Sequence, residues 1–132
     1  MAAPVPSAPL SAADAPACAQ LLGALPDEID PGVQRRPVVD DAGRFAAWGD
    51  PAVVLECGAA PGDPAEQPVS VNRVGWTVRD VGAGFRWTTV NLGIVVAVDV
   101  PDAYPNGAEL VNPLAAPLQA TLPVLPSPSP AR

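Results

Sequence analysis

The sequence predicts a single α+β domain in which an N-terminal helix packs on an antiparallel β-meander of three to five strands and a short C-terminal helix follows. The length of 132 residues is enough for one domain of ordinary size. None of the 19 prolines lies between Val69 and Val100, and because proline cannot donate to a sheet, this interval marks the strands. The turns inside it are too short for parallel crossovers, so the strands are expected to pair antiparallel.

The N-terminal helix is predicted over residues 13–25. Its apolar residues recur at the spacing of one helical face: Cys18, Leu21, Leu22 and Leu25. Pro26 ends the pattern, since proline cannot continue a helix. Residues 52–57 then alternate, which predicts a short strand with Cys57 on one side and Glu56 on the other.

A β-hairpin is predicted in the proline-free interval. Residues 74–79 alternate apolar and polar side chains, residues 80–84 form a turn, and residues 85–90 make the return strand. The apolar run over residues 94–100 is expected to be the central strand, which Pro101 ends.

A short C-terminal helix is predicted after the sheet. Asn106 and Glu109 have the spacing of a capping box, in which two side chains bind the first free N–H groups of a helix. Pro113 and Pro117 follow closely, so the helix should be short or broken.

The two ends of the chain have a linker composition. Residues 1–12 and 123–132 are rich in alanine, proline and serine, and we expect both to be disordered around a domain over residues 13–122. The sequence shows no signal peptide and no apolar run long enough to span a bilayer. Two subcellular locations are therefore expected: the protein is either cytosolic, or exported with a leader that is absent from this sequence.

The composition excludes several kinds of chemistry. Histidine and lysine are absent, which removes imidazole-based triads, the commonest metal ligand and Schiff-base catalysis. The formal net charge of -7 would repel a phosphate backbone. We therefore expect no cofactor, no metal and no nucleic-acid partner for this acidic chain, and we assign no catalytic residue.

Three tryptophans are the candidate lining of a ligand groove: Trp48, Trp76 and Trp87. Such amphipathic rings suit a sugar or an aromatic ligand. Large aromatic residues more often belong to a core, and the apolar alternate neighbours of Trp76 and Phe85 favour packing. If the chain is a binding module, we expect Trp48 or Trp87 to open onto a concave surface.

Clustered carboxylates give two weaker candidate sites, one for calcium binding and one for acid/base catalysis. Asp27, Glu28 and Asp30 offer oxygen ligands for calcium, but they lack the alternating pattern of a known loop, which favours a solvated turn. Asp40 and Asp41 are adjacent and would diverge on a strand, which favours an exposed turn over a paired-carboxylate acid/base site.

Glycine and threonine residues near the hairpin carry two further interpretations. Gly82 and Gly84 lack the third glycine of a dinucleotide fingerprint and indicate a turn that needs positive φ. Thr88 or Thr89 would be the nucleophile if the chain were a small enzyme. A pocket that joins one of these hydroxyls to a carboxylate of shifted pKa would favour that alternative.

The two cysteines allow two interpretations. Cys18 lies on the apolar face of the predicted helix and Cys57 on an apolar strand face, so both thiols enter one layer if that helix packs on that face. In an oxidising compartment they would bridge, and closing the loop would stabilise the fold by about 4 kcal/mol. In a reducing compartment they would remain two buried thiols that pack as small hydrophobic groups.

Five short motifs follow one another across the region from residue 18 to residue 118. In chain order they are C-x-x-L-x-x-x-L-P at residues 18–26, A-W-G-D-P-A-V-V-L-E-C-G at residues 47–58, V-N-R-V-G-W at residues 71–76, F-R-W-T-T-V at residues 85–90 and V-x-V-P at residues 98–101. This order resembles a family of uncharacterised actinobacterial proteins, domain of unknown function 3515. The tryptophan and cysteine block at residues 47–58 is its most specific part.

The resemblance implies a subcellular location but no reaction. Members of that family are typically exported, often with a lipoprotein-type leader, which implies that this chain is the mature part of a cell-envelope protein. Because that setting is oxidising, the resemblance favours the bridge between Cys18 and Cys57. Relatives tend to carry Asp where this chain has Gly75 and Arg where it has Glu56, so any role of that Asp is in doubt here.

The expected function is a non-enzymatic binding or structural role in an exported or surface-tethered envelope domain. Its partner would be an envelope protein or a cell-wall ligand, with a membrane tether through a leader absent from this sequence. Two alternatives stay open at this point. One is a small enzyme that uses carboxylate or hydroxyl chemistry, and the other is a cytosolic partner-binding module with reduced thiols.

Overall fold

A computed structural model describes residues 14–38, 44–62 and 66–122 of the chain. The helical elements are α1 (Ala15–Ala24), α2 (Gly107–Val111), a 3-10 turn (Asn112–Leu114) and α3 (Ala115–Thr121). The strands are β1 (Glu28–Asp30), β2 (Val33–Arg36), β3 (Phe45–Trp48), β4 (Val53–Cys57), β5 (Val69–Val71), β6 (Val74–Asp80), β7 (Gly84–Thr89) and β8 (Val96–Pro101). The predicted α+β class is confirmed.

The described strands form one antiparallel sheet of eight, in the order β1-β2-β3-β4-β8-β7-β6-β5. The predicted number of three to five strands is wrong, because β1, β2, β3 and β5 are only three or four residues long and carry little alternation. The sheet also departs from a simple meander. Strand β4 pairs with β8, while β5, the next strand along the chain, lies at the far edge.

One face of the sheet, here called the core face, carries the hydrophobic core. Cross-strand partners share a face, and Leu55 lies opposite Val98 while Cys57 lies opposite Val96. All four side chains are fully buried. Leucines of the helices complete the same core cluster: Leu21, Leu110, Leu114 and Leu118. The helices therefore cover this face.

A disulfide joins α1 to the core face. Cys18 and Cys57 have an S–S distance of 2.06 Å and a Cα–Cα distance of 5.8 Å. The predicted bridge is confirmed, as is the packing of the N-terminal helix on the sheet. The bridge closes a loop with a sequence separation of 39, which in the chain-entropy model stabilises the fold by about 4 kcal/mol.

Proline divides the C-terminal helical region as predicted. Pro113 lies in the 3-10 turn between α2 and α3, where its ring and missing N–H interrupt a regular helix. The predicted capping box is not formed, because the amide of Asn106 donates to the side chain of Glu109 at 3.1 Å and makes no side-chain cap on the backbone.

The predicted hairpin is confirmed in β6 and β7, with two corrections. Gly82 has φ +89°, as the turn requires, but the need for glycine at position 84 is different. A Cβ there would collide with the carbonyl of Val100, so close approach of two strands selects Gly84. Phe85, predicted to pack, is 44% exposed.

Some predictions fall on residues outside the described ranges. These are the disorder expected for residues 1–12 and 123–132 and the exposed turn expected at Asp40 and Asp41. Within the described ranges, every helix is too short or too polar to cross a membrane.

Candidate functional site

The second face of the sheet, here called the outer face, is polar. Cross-strand pairs on this face join Thr77 to Thr88, Arg79 to Arg86 and Arg86 to Asp99. Glu56 lies on the same face, since it pairs with Ala97, which in turn pairs with Thr88. Charged and hydroxyl side chains from four neighbouring strands thus meet on one surface.

The connection between β4 and β5 covers part of the outer face. Because β5 lies at the sheet edge, the chain must pass β8, β7 and β6 to reach it. The amides of Gly58 and Ala59 donate to the carbonyl of Val95 at 2.8 and 3.0 Å as the connection starts. A Cβ built on Gly62 would lie 2.5 Å from Thr77 Oγ1 and 3.6 Å from Thr88 Cβ. Residues 58–62, here called the crossing segment, therefore run across the outer face.

A buried ion network lies on the outer face beneath this segment. Glu56 is 1% exposed and accepts from Arg44 at 3.3 Å through one oxygen and from Arg86 at 3.0 Å through the other. Arg86 donates in addition to Asp99 at 2.6 Å. Two guanidinium groups are thereby matched by two carboxylates, which is the arrangement that buried charge requires.

The network also positions neighbouring groups. Arg44 donates to the carbonyls of Cys57 at 3.2 Å and Gly58 at 2.6 Å, so it fixes the start of the crossing segment. Burial acts to lower the pKa of Arg86, but its charge interaction with Asp99 and its hydrogen bonds to Glu56 and Asp99 outweigh burial and raise that pKa above its ordinary value. Arg86 is therefore a fixed positive charge.

A groove of about 400 Å³ lies between the crossing segment and the outer face, and we call it the Thr–Arg groove. Two cross-strand pairs form its floor, the threonines at 77 and 88 and the arginines at 79 and 86. The remaining lining residues are Ala60, Pro61, Gly62 and Glu66. Four polar side chains on rigid strands thus face one space.

The hydroxyls of the two floor threonines face the groove. Thr77 is 4% and Thr88 is 5% exposed, yet neither hydroxyl forms a hydrogen bond within the described residues. Thr89, the next residue, points to the core face, and its hydroxyl accepts the amide of Val96 at 2.9 Å. Among the described residues, the fully buried polar atoms without a partner are Trp76 Nε1 and Trp87 Nε1. The Thr77 and Thr88 hydroxyls are not among them, so they are accessible from the groove and available to a polar ligand.

Arg79 and Glu66 form an ion pair at the rim of the groove. The distance from Arg79 Nε to Glu66 Oε2 is 3.4 Å, and the side chains are 54% and 29% exposed. An ion pair this accessible to water contributes about 0 to 1 kcal/mol. This pair is therefore weaker than the pairs of the buried network.

The three predicted groove tryptophans lie on the core side of the sheet. Trp48 and Trp76 have no exposed surface, and Trp48 Nε1 donates to the carbonyl of Pro26 at 2.9 Å. Both are core residues and line no surface groove, as their packing alternative predicts. Trp87 is 8% exposed, meets Trp76 edge to face at a centroid distance of 6.1 Å, and lines a separate cavity of about 310 Å³ beside Tyr104.

The acidic residues after α1 do not form a metal site in the described ranges. Glu28 and Asp30 belong to β1, and Glu28 Oε2 accepts the amide of Gly32 at 3.2 Å. No group of three potential metal ligands occurs among the residues that the structure describes.

Of the outer-face residues at the site, sequence reasoning named Thr88 as a possible nucleophile and missed the others. Glu56 and Asp99 were the available signal, because each is a single charge inside an apolar strand and would need a buried partner. Neither the partners nor the groove has a signal in the local pattern, since both depend on how distant strands pair.

The fold and site define a small α+β domain with one helix-covered face and one face that holds a polar groove. Residues 2–126 match the model of a family described as Protein of unknown function (DUF3515), and the chain belongs to this family. The comparisons with curated proteins and with solved structures found no match.

Proposed function

We propose that this chain is a non-enzymatic binding domain of the cell envelope, exported or tethered at the outer surface, and that its Thr–Arg groove holds a small polar ligand. The ligand would belong to a cell-wall component or to another envelope protein. The observation that carries the proposal is that the hydroxyls of Thr77 and Thr88, which bond to none of the described residues, lie beside two arginines in one groove.

The rigidity of the groove supports a binding role. Its floor residues lie on paired strands, and Arg86 is held by Glu56 and Asp99 before any ligand arrives. Donors that are fixed in advance lose little freedom on binding, which favours affinity for a ligand of matching shape.

The surroundings of the threonines favour binding over nucleophilic catalysis. An activated hydroxyl needs an adjacent general base. Within the described residues neither Thr77 nor Thr88 forms a hydrogen bond to a carboxylate, and the Thr89 hydroxyl is engaged by the backbone of Val96. The enzyme alternative therefore lacks a specific observation in its favour.

The disulfide supports the proposed extracytoplasmic location. Stable disulfides persist in oxidising compartments and are rare in reducing ones. The bond between Cys18 and Cys57 is fully buried and joins two layers of the fold. The cytosolic alternative would require the protein to function with both thiols reduced.

A titration tests the binding role. We expect a soluble cell-wall digest, added to the ¹⁵N-labelled chain, to shift the amide resonances of Thr77, Arg79, Arg86 and Thr88, and to be recovered chemically unchanged by mass spectrometry. Resonances of the core strands provide the internal control. Shifts elsewhere with none in the groove, or conversion of the digest, would contradict the proposal.

Thiol trapping tests the proposed extracytoplasmic location. When the native host is lysed in the presence of an alkylating reagent, we expect no label on Cys18 or Cys57 until a reductant is added. Labelling of both cysteines without reductant would support the cytosolic alternative instead.

A further inference from the structure

We infer that the chain has a second binding site, a cavity beside Trp87 that accepts a proline-rich peptide with a basic residue. This site is separate from the Thr–Arg groove, so the inference goes beyond the proposed function. It is carried by the aromatic lining of the cavity, by an indole N–H that has no hydrogen-bond partner among the described residues, and by the carboxylate of Asp102.

The cavity, here called the Trp87 cavity, has a volume of about 310 Å³ and lies on the core side of the sheet. Two cross-strand pairs contribute to its lining, since Val78 pairs with Trp87 and Phe85 pairs with Val100. The other lining residues belong to the connection between β8 and α2 and to the start of α2: Asp102, Tyr104, Pro105, Gly107 and Ala108. The lining is therefore mainly apolar.

Three aromatic rings in this lining suit a proline ring. Phe85 is 44% exposed, although phenylalanine is usually buried. The hydroxyl of Tyr104 donates to the carbonyl of Pro51 at 2.7 Å, which fixes that ring. Trp87 packs edge to face on Trp76. Surfaces lined by aromatic rings bind proline-rich segments, whose extended helical conformation exists before binding and therefore costs little entropy.

The free N–H at the cavity calls for a ligand acceptor. Trp87 Nε1 is buried and donates to no described residue, which costs free energy in the unbound protein. Gly107 also lines the cavity, and a Cβ built on it would lie 3.1 Å from this nitrogen. Gly107 thus lies against the N–H without a side chain, and a small shift of this residue lets a ligand carbonyl reach the nitrogen.

A proline-rich peptide supplies that acceptor without adding a donor. The carbonyl before a proline accepts a hydrogen bond, whereas the proline nitrogen has no N–H that an apolar lining would leave unpaired. A sugar would instead bring several hydroxyl groups against the same lining, at a cost in hydration. The donors and acceptors of the cavity therefore favour the peptide.

The charge at the cavity favours a basic residue in that peptide. Asp102 is exposed and is the charged side chain among the described residues that line the cavity. The chain as a whole has a formal net charge of -7. An arginine or lysine beside the prolines can pair with Asp102, and the overall charge attracts a basic peptide.

The test is an NMR titration of the full ¹⁵N-labelled chain with the peptide acetyl-PPVPPR-amide. We expect this peptide to shift the indole N–H of Trp87 and the amides of Phe85 and Ala108. One control peptide has alanine in place of every proline, and it should bind at least about tenfold more weakly because it must be ordered on binding. A second has glutamine in place of arginine and should bind about two- to threefold more weakly, as the loss of an exposed ion pair predicts.

Variants of the chain locate the site. Phe85→Ala should weaken binding by about tenfold or more, because an aromatic contact is lost. Its matched control is Val90→Ala, which truncates another side chain that is 44% exposed but lies outside the cavity. This control should leave the affinity within about twofold.

Two further variants test the N–H and the charge. Gly107→Ala should weaken binding by about fivefold or more, because its methyl group would lie against Trp87 Nε1 and hinder a ligand carbonyl. Asp102→Asn should abolish the preference for the arginine peptide over the glutamine peptide, while the preference for proline over alanine persists. An unchanged urea midpoint verifies that each variant is folded.

Three outcomes would overturn the inference. Equal binding of the proline and alanine peptides would show that the cavity does not select a proline-rich chain. Unchanged affinity in Phe85→Ala would place the peptide elsewhere. Shifts of the Trp87 indole with N-acetylglucosamine, and none with the peptides, would identify a sugar site. These resonances differ from those of the Thr–Arg groove, so failure here leaves the proposed function standing, and failure there leaves this inference standing.

Discussion

The two faces of the sheet are both covered, but they are stabilised by different interactions. The core face is apolar, lies under the helices and is cross-linked by the disulfide between Cys18 and Cys57. The outer face lies partly under the crossing segment and contains an ion network around the buried carboxylate of Glu56. A residue's burial therefore does not reveal its environment in this protein, because side chains of equal burial pack against leucine on one face and against arginine on the other.

The difference shows how a small chain can build a polar site without weakening its core. The helices and the disulfide stabilise one face, so the other face is able to hold charges and unused hydroxyls. Polar groups on the outer face still need partners, and the network supplies them for every charge that it buries. The hydroxyls of Thr77 and Thr88 bond to none of the described residues and face the groove, where our proposal places a ligand.

Removing the disulfide should have the largest effect, and it acts on the core face. The double variant Cys18→Ala with Cys57→Ala should lose about 4 kcal/mol of unfolding free energy, because the unfolded chain regains the entropy of the open loop. Urea unfolding without reductant measures this, and reduced wild-type protein is the control. A loss below about 1 kcal/mol would show that the bridge contributes little beyond packing.

Breaking the ion network should have the next largest effect, and it acts on the outer face. Glu56→Gln should cost about 3 kcal/mol, because Arg44 and Arg86 keep their charges in a buried site after their shared carboxylate is gone. Asp99 still faces Arg86, which keeps the loss at the lower end of the range. Urea unfolding of this variant is compared with Glu109→Gln, an exposed change of the same kind.

Equal stability of Glu56→Gln and the wild type would mean that the network does not stabilise the outer face. A large loss in Glu109→Gln would instead show that any removed acid destabilises this chain, and the comparison between the faces would lose its basis.

Adjacent threonines give the smallest and most direct comparison. Thr89→Val should cost about 1 to 3 kcal/mol, since it leaves the buried amide of Val96 without an acceptor. Thr88→Val should change stability by less than about 0.5 kcal/mol, because its hydroxyl bonds to none of the described residues. Thermal unfolding of both variants measures the difference. Equal losses would show that the Thr88 hydroxyl has a partner that the described residues do not include.

The sequence predicts the regular part of this fold well. Alternation over β6 and β7 predicts the hairpin because each strand has six or seven residues and a turn with glycine between them. The spacing of Cys18 and Leu21 predicts the buried face of α1. These features depend on residues that are close together in the chain, so the local sequence pattern is enough to predict them.

The short strands are not predictable in the same way. Strand β2 contains Val33 followed by three polar residues, and β3 places Ala46 and Ala47 on opposite faces although both are buried. Neither pattern shows alternation. These strands form because each pairs with a neighbouring strand on both sides. That pairing depends on the tertiary structure and not on the local sequence.

The groove is the least predictable feature. Its floor needs the register that aligns Thr77 with Thr88, and its wall needs the crossing segment, which exists because β5 lies at the sheet edge. No spacing in the sequence contains either fact. Their large aromatic side chains made the tryptophans candidates for the lining of a ligand groove. The same large apolar surface favours burial, and Trp48 and Trp76 lie in the core.

The path from β4 to β5 lies outside the framework of paired strands. The residues of the crossing segment belong to no strand, and Ala60, Pro61 and Gly62 line the groove, so a change at these three positions alters the wall of the groove. If the groove binds a ligand as we propose, two homologues with the same scaffold can select different molecules through one short stretch of chain. Ligand preference is then free to diverge faster in evolution than the framework that supports it.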